Sequence, residues 1–334
     1  MDVDHPDISV ALCTYNGARY IAEQIRSICE QSLPPQSIVV SDDASTDGCV
    51  DVARAELDAC MRERPGLVIG FREIRNATSL RVTRNFEQAV RACSGGLIAL
   101  CDQDDVWHPE RLERMVTEFV KRPDLLLLHS DARLVDGERR DLGHSLFRAL
   151  EVTPLELAQI HAGQAFDALL RRNLVTGATT MFRRSLLNTA LPFPKEWVHD
   201  EWLGIVAAAI GRVDVIEDEL IDYRQHANNQ IGASRNTFIG NVRKAVAPRG
   251  AIHFERASKA ELLRERLEAI GAPVVSPAKI DLARGKVAHQ RFRSLLPRVR
   301  AARFIPVARE ALSGRYDRFG RGFRAIVSDL LEAA

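Results

Sequence analysis

Three carboxylates, Asp102, Asp104 and Asp105, stand within four positions directly after the apolar run Leu97-Ile98-Ala99-Leu100-Cys101. Carboxylates so spaced on a turn can hold a hard divalent cation, and that cation can neutralise charge developing on a phosphate leaving group. A second acidic turn, Asp42-Asp43-Ala44-Ser45-Thr46-Asp47-Gly48, follows another apolar run. A third group, His199-Asp200-Glu201-Trp202-Leu203, opens an apolar helical pattern. A positioned carboxylate there can take the proton of an attacking hydroxyl. Each group alone also has a plainer account as a solvated turn that caps a helix, because negative charge is stabilised near a helix N-terminus.

Burying unpaired carboxylates is costly, so these turns must emerge where water or a cation can reach them. The surrounding pattern supplies such a place. Strand-length apolar runs cover residues 8–13, 37–41, 67–71, 97–101 and 125–129. Helical faces lie between them, carried by Ile21, Ile25 and Ile28, by Val50, Ala53, Leu57 and Cys60, by Phe86, Ala89, Val90 and Cys93, and by Leu112, Met115, Val116 and Phe119. This alternation predicts an α/β fold with a mostly parallel sheet flanked by helices. Its strand ends are where such sheets bind ligands, and Thr14–Gly17, Asp42–Gly48 and Asp102–Asp105 should meet there. Further on, residues 136–170 read as irregular and helix-prone. Residues 174–182 read as a strand broken at Gly177, either a bulge or a place where backbone approaches a neighbour closely. Residues 213–216 read as another strand. No dinucleotide-binding fingerprint and no P-loop is present.

Beyond Gly232 the strand-like runs stop, and Pro248, Gly271 and Pro297 divide three helical segments. Residues 233–334 carry 21 Lys and Arg against 9 Asp and Glu, whereas the rest of the chain carries 25 against 36. The expected division is therefore an acidic domain over 1–232 and a basic helical region over 233–334. Apolar residues make up 46% and charged residues 27%, ordinary values for a globular chain. No apolar run reaches membrane-spanning length, and the acidic start Met1-Asp2-Val3-Asp4-His5 does not read as a signal peptide. Six cysteines without CxxC spacing suit reduced core thiols, and a cytoplasmic location is expected.

Taken together, Cys13-Thr14-Tyr15-Asn16, Asp42 to Asp47, Asp102-Gln103-Asp104-Asp105-Val106-Trp107 and His199 to Leu203 resemble glycosyltransferase family 2, inverting enzymes of the GT-A fold. The DQDDVW form and the stretch YRQHANNQIG at 223–232 look like its rhamnosyltransferase-like branch. The likeness covers residues 6–232 firmly and the remainder loosely. It implies a sugar moved from a UDP- or dTDP-sugar, dTDP-rhamnose among them, to a hydroxyl of a cell-surface glycan or lipid-linked saccharide. It implies Mg²⁺ or Mn²⁺ as cofactor. It also implies roles: Asp200 as general base, Asp104 on the metal with His226 as a further ligand, and Asp102 on ribose or metal. Thr14, Tyr15, Asn16, Asp43, Arg84 and Gln103 would contact the nucleotide sugar, with Asp43 facing the base. Asp105 and Asp47 read as capping residues. Trp107 and Trp202 read as packing or as an acceptor platform.

Two other readings stand beside this one. A sugar-1-phosphate nucleotidyltransferase would want a Gly- and Arg-rich loop where Thr14-Tyr15-Asn16-Gly17 stands. A non-catalytic polyanion-binding protein would use the basic region as its working surface. The preferred partner of that region is an anionic membrane surface at the inner face, contacted by Tyr316, Phe319 and Phe323 between arginines; nucleic acid is not expected.

Overall fold

The computed structural model describes residues 6–226 and 249–332. Residues 1–5 and 227–248 lie outside the described residues, and with them the acidic start, the end of the 223–232 motif, Pro248 and the expected boundary after residue 232. The strands are β1 (Ile8–Thr14), β2 (Ser37–Asp42), β3 (Gly70–Arg75), β4 (Leu97–Asp102), β5 (Val106–Trp107), β6 (Leu125–Val135), β7 (Asp141–Ser145), β8 (Met181–Arg183) and β9 (Arg212–Arg224). The helices are α1 (Ile21–Cys29), α2 (Cys49–Glu63), α3 (Arg81–Ala92), α4 (Arg111–Lys121), α5 (Leu146–Ala149), α6 (Pro154–His161), α7 (Ala165–Arg171), α8 (Leu187–Ala190), α9 (His199–Ile210), α10 (Arg249–Ile270), α11 (Pro277–Ser294), α12 (Phe304–Leu312), α13 (Arg315–Phe319) and α14 (Phe323–Leu331). They fall into two compact units, one holding 6–163 and 175–226, the other 164–174 and 249–332.

The first unit is built on one sheet in the order β3-β2-β1-β4-β8-β6-β9-β5, with β7 paired to β6. Most paired residues run parallel: β1 with β2 and β4, β2 with β3, and β6 with β9. All of β1 is buried, as both faces of a helix-covered parallel strand require. Register then places the site. Thr14 sits beside Asp42 and Cys13 beside Asp102, so three strands end level and their turns share one edge. The β5 pair, Val106 with Asp222 and Trp107 with Ile221, folds the chain after Asp105 back against the end of β9.

Three local readings differ. The third strand is Gly70–Arg75, not 67–71; Leu67 and Ile69 are buried as anchors just before it. As an edge strand β3 is mostly polar, so apolar content marked burial rather than strand. Residues 174–182 hold a 3₁₀ turn at Gly177–Thr179 and only a three-residue β8. Thr179 and Thr180 hydroxyls both donate to the Thr176 carbonyl, which diverts the backbone from a ladder. Within 136–170 stand β7 and three short helices; α6 opens with a Thr153/Glu156 capping box and Pro154.

In the second unit α10 packs on α11. Tyr316 and Phe319, expected at a membrane face, are buried instead. The Tyr316 hydroxyl donates to Asp329 at 2.7 Å, and the Phe319 ring occupies the space that Gly285 leaves by lacking a Cβ. Of the three aromatics only Phe323 is exposed. All six cysteines are buried and unbonded. No helix among the described residues is long and apolar enough to cross a membrane.

Candidate active site

At the shared edge, side chains of one turn hold the next. The Gln103 amide oxygen accepts from the Thr14 hydroxyl (2.6 Å) and the Tyr15 N–H (2.8 Å), and its NH₂ donates to the Tyr15 carbonyl (3.1 Å). A Cβ on Gly17 would lie 2.2 Å from Gln103 Oε1, so only glycine admits this clasp. Asn16 bonds across to the second turn: its Oδ1 accepts from Thr46 N–H and its N–H donates to Ser45 Oγ. Asp43 accepts from Ser79 Oγ and from the N–H groups of Leu80 and Arg81 at the start of α3. Asn16, Ala44 and Arg81 all hold positive φ angles, 49°, 66° and 65°. Such backbone is unfavourable for residues with a Cβ and collects at functional sites. Tyr15 is exposed, as is Asn16 beside it.

The acidic turn itself is divided by burial and partner. Asp102 ends β4, and its carboxylate accepts no hydrogen bond among the described residues; burial, then Asp104 and Asp200, raise its pKa to about 7. Burial also raises Asp104, opposed by His226, whose Nε2 lies 2.7 Å from Asp104 Oδ2. The His226 ring stacks on Tyr20. Asp105 is buried, accepts the Arg224 N–H at 3.0 Å, and leaves its second oxygen unpartnered. Burial and its two acidic neighbours push its pKa well up. Arg224, in the YRQH stretch at the end of β9, locks this turn. Its guanidinium donates to the Asp104 carbonyl, the Gly137 carbonyl and the Glu23 carboxylate. Behind it the buried Arg111 stacks on Trp107 and donates to the Ala178 carbonyl. Its burial lowers its pKa to about 10. An arginine buried in a helix's first turn has no sequence signal.

Asp200 arrives from the far half of the sheet, on the first turn of α9. Its Oδ2 accepts the Gly177 N–H at 2.8 Å and its Oδ1 the Glu201 N–H at 2.6 Å. A Cβ on Gly177 would stand 2.8 Å from His199 Nε2 and 3.6 Å from the Asp200 carboxylate. The close approach at Gly177 is therefore between two protein segments. His199 is buried and stacked on Phe86 at 3.8 Å between ring centroids, and burial lowers its pKa to about 3, so it is neutral.

The structure thus brings Thr14, Tyr15, Asn16, Asp43, Asp102, Gln103, Asp104, Asp200 and His226 to one edge. Arg84 is half-exposed and pairs with Glu87 at 2.7 Å; no hydrogen bond joins it to the acidic turn among the described residues. Trp107 and Trp202 are both buried, which makes them packing residues. Carboxylates crowded together with raised proton affinity, one oxygen of them orphaned, fit a hard divalent cation: oxygen donors in excess of local positive charge.

Residues 9–190 match the family model for Glycosyl transferase family 2, more than half of the chain. The chain belongs to glycosyl transferase family 2. Its relatives include an uncharacterized glycosyltransferase of Nostoc sp., 26% identical over 69% of this chain and 68% of that one. Another is TuaG of Bacillus subtilis, named for teichuronic acid biosynthesis, 27% identical over 54% of this chain and 63% of that one. An uncharacterized protein of Mycobacterium tuberculosis is 26% identical over 66% of this chain, and the match spans 59% of its own length. Two solved structures share the fold. S. aureus TarS 1–349 in complex with UDP-GlcNAc has a TM-score of 0.53 at 20% identity over 86% of this chain and 72% of that one. The mannosyltransferase PcManGT from Pyrobaculum calidifontis, in complex with GDP-Man and Mn²⁺, has a TM-score of 0.53 at 18% identity over 93% and 76%. The fold is thus the GT-A type.

Proposed function

We propose that this family 2 member is a metal-dependent, inverting glycosyltransferase. It takes a sugar from a UDP- or dTDP-sugar, dTDP-rhamnose among the candidates, to a hydroxyl of a cell-surface glycan or lipid-linked saccharide. The observation that carries the reading is that the Gly177 turn, bound to β4 through the Leu100 N–H and the Thr180 carbonyl (3.0 Å), holds Asp200 by its own N–H (2.8 Å) and so brings this carboxylate, remote in sequence, to the strand that ends in the acidic turn. A donor diphosphate at the turn and a base beside it then face one anomeric carbon. TarS and PcManGT, bound to UDP-GlcNAc and to GDP-Man with Mn²⁺, support a nucleotide-sugar donor and a divalent cation.

Asp104 and Asp102 would hold Mg²⁺ or Mn²⁺, with His226 on Asp104 as a third group. The cation, when bound, supplies Lewis-acid stabilisation of the departing diphosphate. Tyr15 offers an exposed ring for the base, beside the Thr14–Gln103 clasp. Asp43, buried and engaged with the start of α3, shapes the base pocket. Asp200, oriented by the Gly177 and Glu201 N–H groups, takes the acceptor proton as the hydroxyl attacks from behind the leaving group. The glycosyltransferase domain is assigned to 1–232. The basic region 233–334 is assigned to an anionic membrane surface, which places the enzyme at the inner face beside lipid-linked acceptors.

Replacing Asp104 and Asp200 separately with Asn tests this. Each should lower turnover of UDP- or dTDP-sugars with Mn²⁺ about a hundredfold or more. Asp104→Asn should also weaken Mn²⁺-dependent UDP binding, and Asp200→Asn should leave it intact. Full activity in both variants overturns the proposal.

A further inference from the structure

Residues 291–309 contain six arginines and no acidic residue. Within that stretch four large apolar side chains stand in solvent: Leu295 (75% exposed), Val299 (67%), Phe304 (67%) and Ile305 (63%). Arg298 and Arg300, between them, are exposed as well. Exposed aliphatic and aromatic residues clustered in eleven positions are unusual on a surface that only meets water. This cluster also has a built support. Arg303 is fully buried, and its guanidinium donates to the carbonyls of Pro297 (2.6 Å), Arg298 (2.8 Å), Asp329 (3.2 Å) and Glu332 (2.8 Å). Beside it Arg293 and Asp329 form a buried two-pronged ion pair. The segment is pinned from within while its apolar side chains point outward.

We propose that residues 295–305 form the tip that enters an anionic lipid surface, with Leu295, Val299, Phe304 and Ile305 in the interface and Arg298 and Arg300 at the headgroups. The inference rests on the reading of this protein as a peripheral membrane enzyme and moves the contact from the buried Tyr316 and Phe319 to this tip. Aliphatic side chains between arginines match the acyl boundary and the phosphates together, as interfacial segments do. Nucleic acid would be met by the arginines alone and leaves the apolar residues without a partner.

Sedimentation of the full chain with phosphatidylcholine vesicles, with and without phosphatidylglycerol, tests the tip. The wild type should partition onto the anionic vesicles. Phe304→Ser with Ile305→Ser should cut partitioning tenfold or more, on the order expected for removing two inserted side chains. Arg298→Gln with Arg300→Gln should cut it about thirtyfold, about fivefold per arginine, and only where phosphatidylglycerol is present. All four positions are exposed, so melting temperatures should match wild type. No vesicle binding by wild type, or wild-type binding by both variants, overturns the proposal. So does a wild-type dimer in the ultracentrifuge that the apolar variant dissolves, which would make the patch an interface between copies. Donor hydrolysis in solution is read in the same preparations: a protein that hydrolyses donor but ignores vesicles loses the tip and keeps its enzymatic reading.

Discussion

Asp200 is oriented by a glycine two dozen positions upstream, whose N–H holds Oδ2 and whose missing side chain admits the stacked His199. At this scale the decisive quantity is space. A methyl group at 177 would stand 2.8 Å from His199 Nε2, so Gly177→Ala must push either the ring off Phe86 or the turn off Asp200. The expected cost is about 1–3 kcal/mol of stability, the usual range for overpacking. Turnover should fall further than donor affinity, because Asp200, the proposed base, moves while the proposed nucleotide-binding turns stay. Paired thermal melts and steady-state kinetics check this: a loss of donor affinity with unchanged kcat would contradict the positioning role.

At the scale of elements, the acidic turn is held from β9 rather than from its own strand. The Arg224 N–H meets Asp105, and its guanidinium reaches the Asp104 carbonyl, Gly137 and Glu23. The short β5 pairing brings the end of β9 there. Arg224→Met removes a buried cation from three partners, keeps the backbone N–H on Asp105, and leaves the Asp104 and Gly137 carbonyls unanswered while Glu23 retains Arg139. Losing its hydrogen bonds to two carbonyls and a half-exposed ion pair should cost about 1–3 kcal/mol. Residues supporting a metal's ligands also change affinity about 10- to 100-fold when replaced. The variant should therefore melt lower and bind UDP more weakly with Mn²⁺ than without it, relative to wild type, in a calorimetric titration. An unchanged metal dependence would separate β9 from the site.

Over the whole molecule, buried neutral histidines set a pH response. His129 is buried on β6 with both ring nitrogens unpartnered, and burial lowers its pKa to about 4; His199 and His289 are lowered too. The unfolded chain, with histidine near 6.5, binds protons that the folded one refuses. Stability is thus full above pH 6.5 and falls as pH drops towards 4. Asp102, raised to about 7, acts in the opposite sense in metal-free protein, because the folded state holds its proton more tightly. Comparing one histidine variant with wild type cancels that term. His129→Leu should lose about 2 kcal/mol less than wild type between pH 7 and pH 5. Melting temperatures at the two pH values decide: parallel shifts in both proteins would mean His129 does not couple to folding.

The chain alone determined the strand-ending turns, the acidic clusters and the family they resemble, because apolar period and turn chemistry are local properties. Residues as far apart as Thr14, Asp42 and Asp102 could be placed at one edge for that reason: parallel strands of like length end level. The mostly polar β3, the Thr-rich turn before β8 and the small elements of 136–170 were not legible, since edge exposure and side-chain competition for backbone bonds depend on neighbours distant in sequence. The same holds for Arg224 and Arg111, and for the partner of the close approach at Gly177, since their work lies in long-range contacts that no spacing encodes. In the second unit the spacing of Tyr316, Phe319 and Phe323 suggested one outward face. Tertiary packing turned two of them inward, because Asp329 satisfies the tyrosine hydroxyl and Gly285 makes room for the phenylalanine ring. Periodicity states which residues share a helix side; only the partners assembled against that side decide whether it meets protein or solvent.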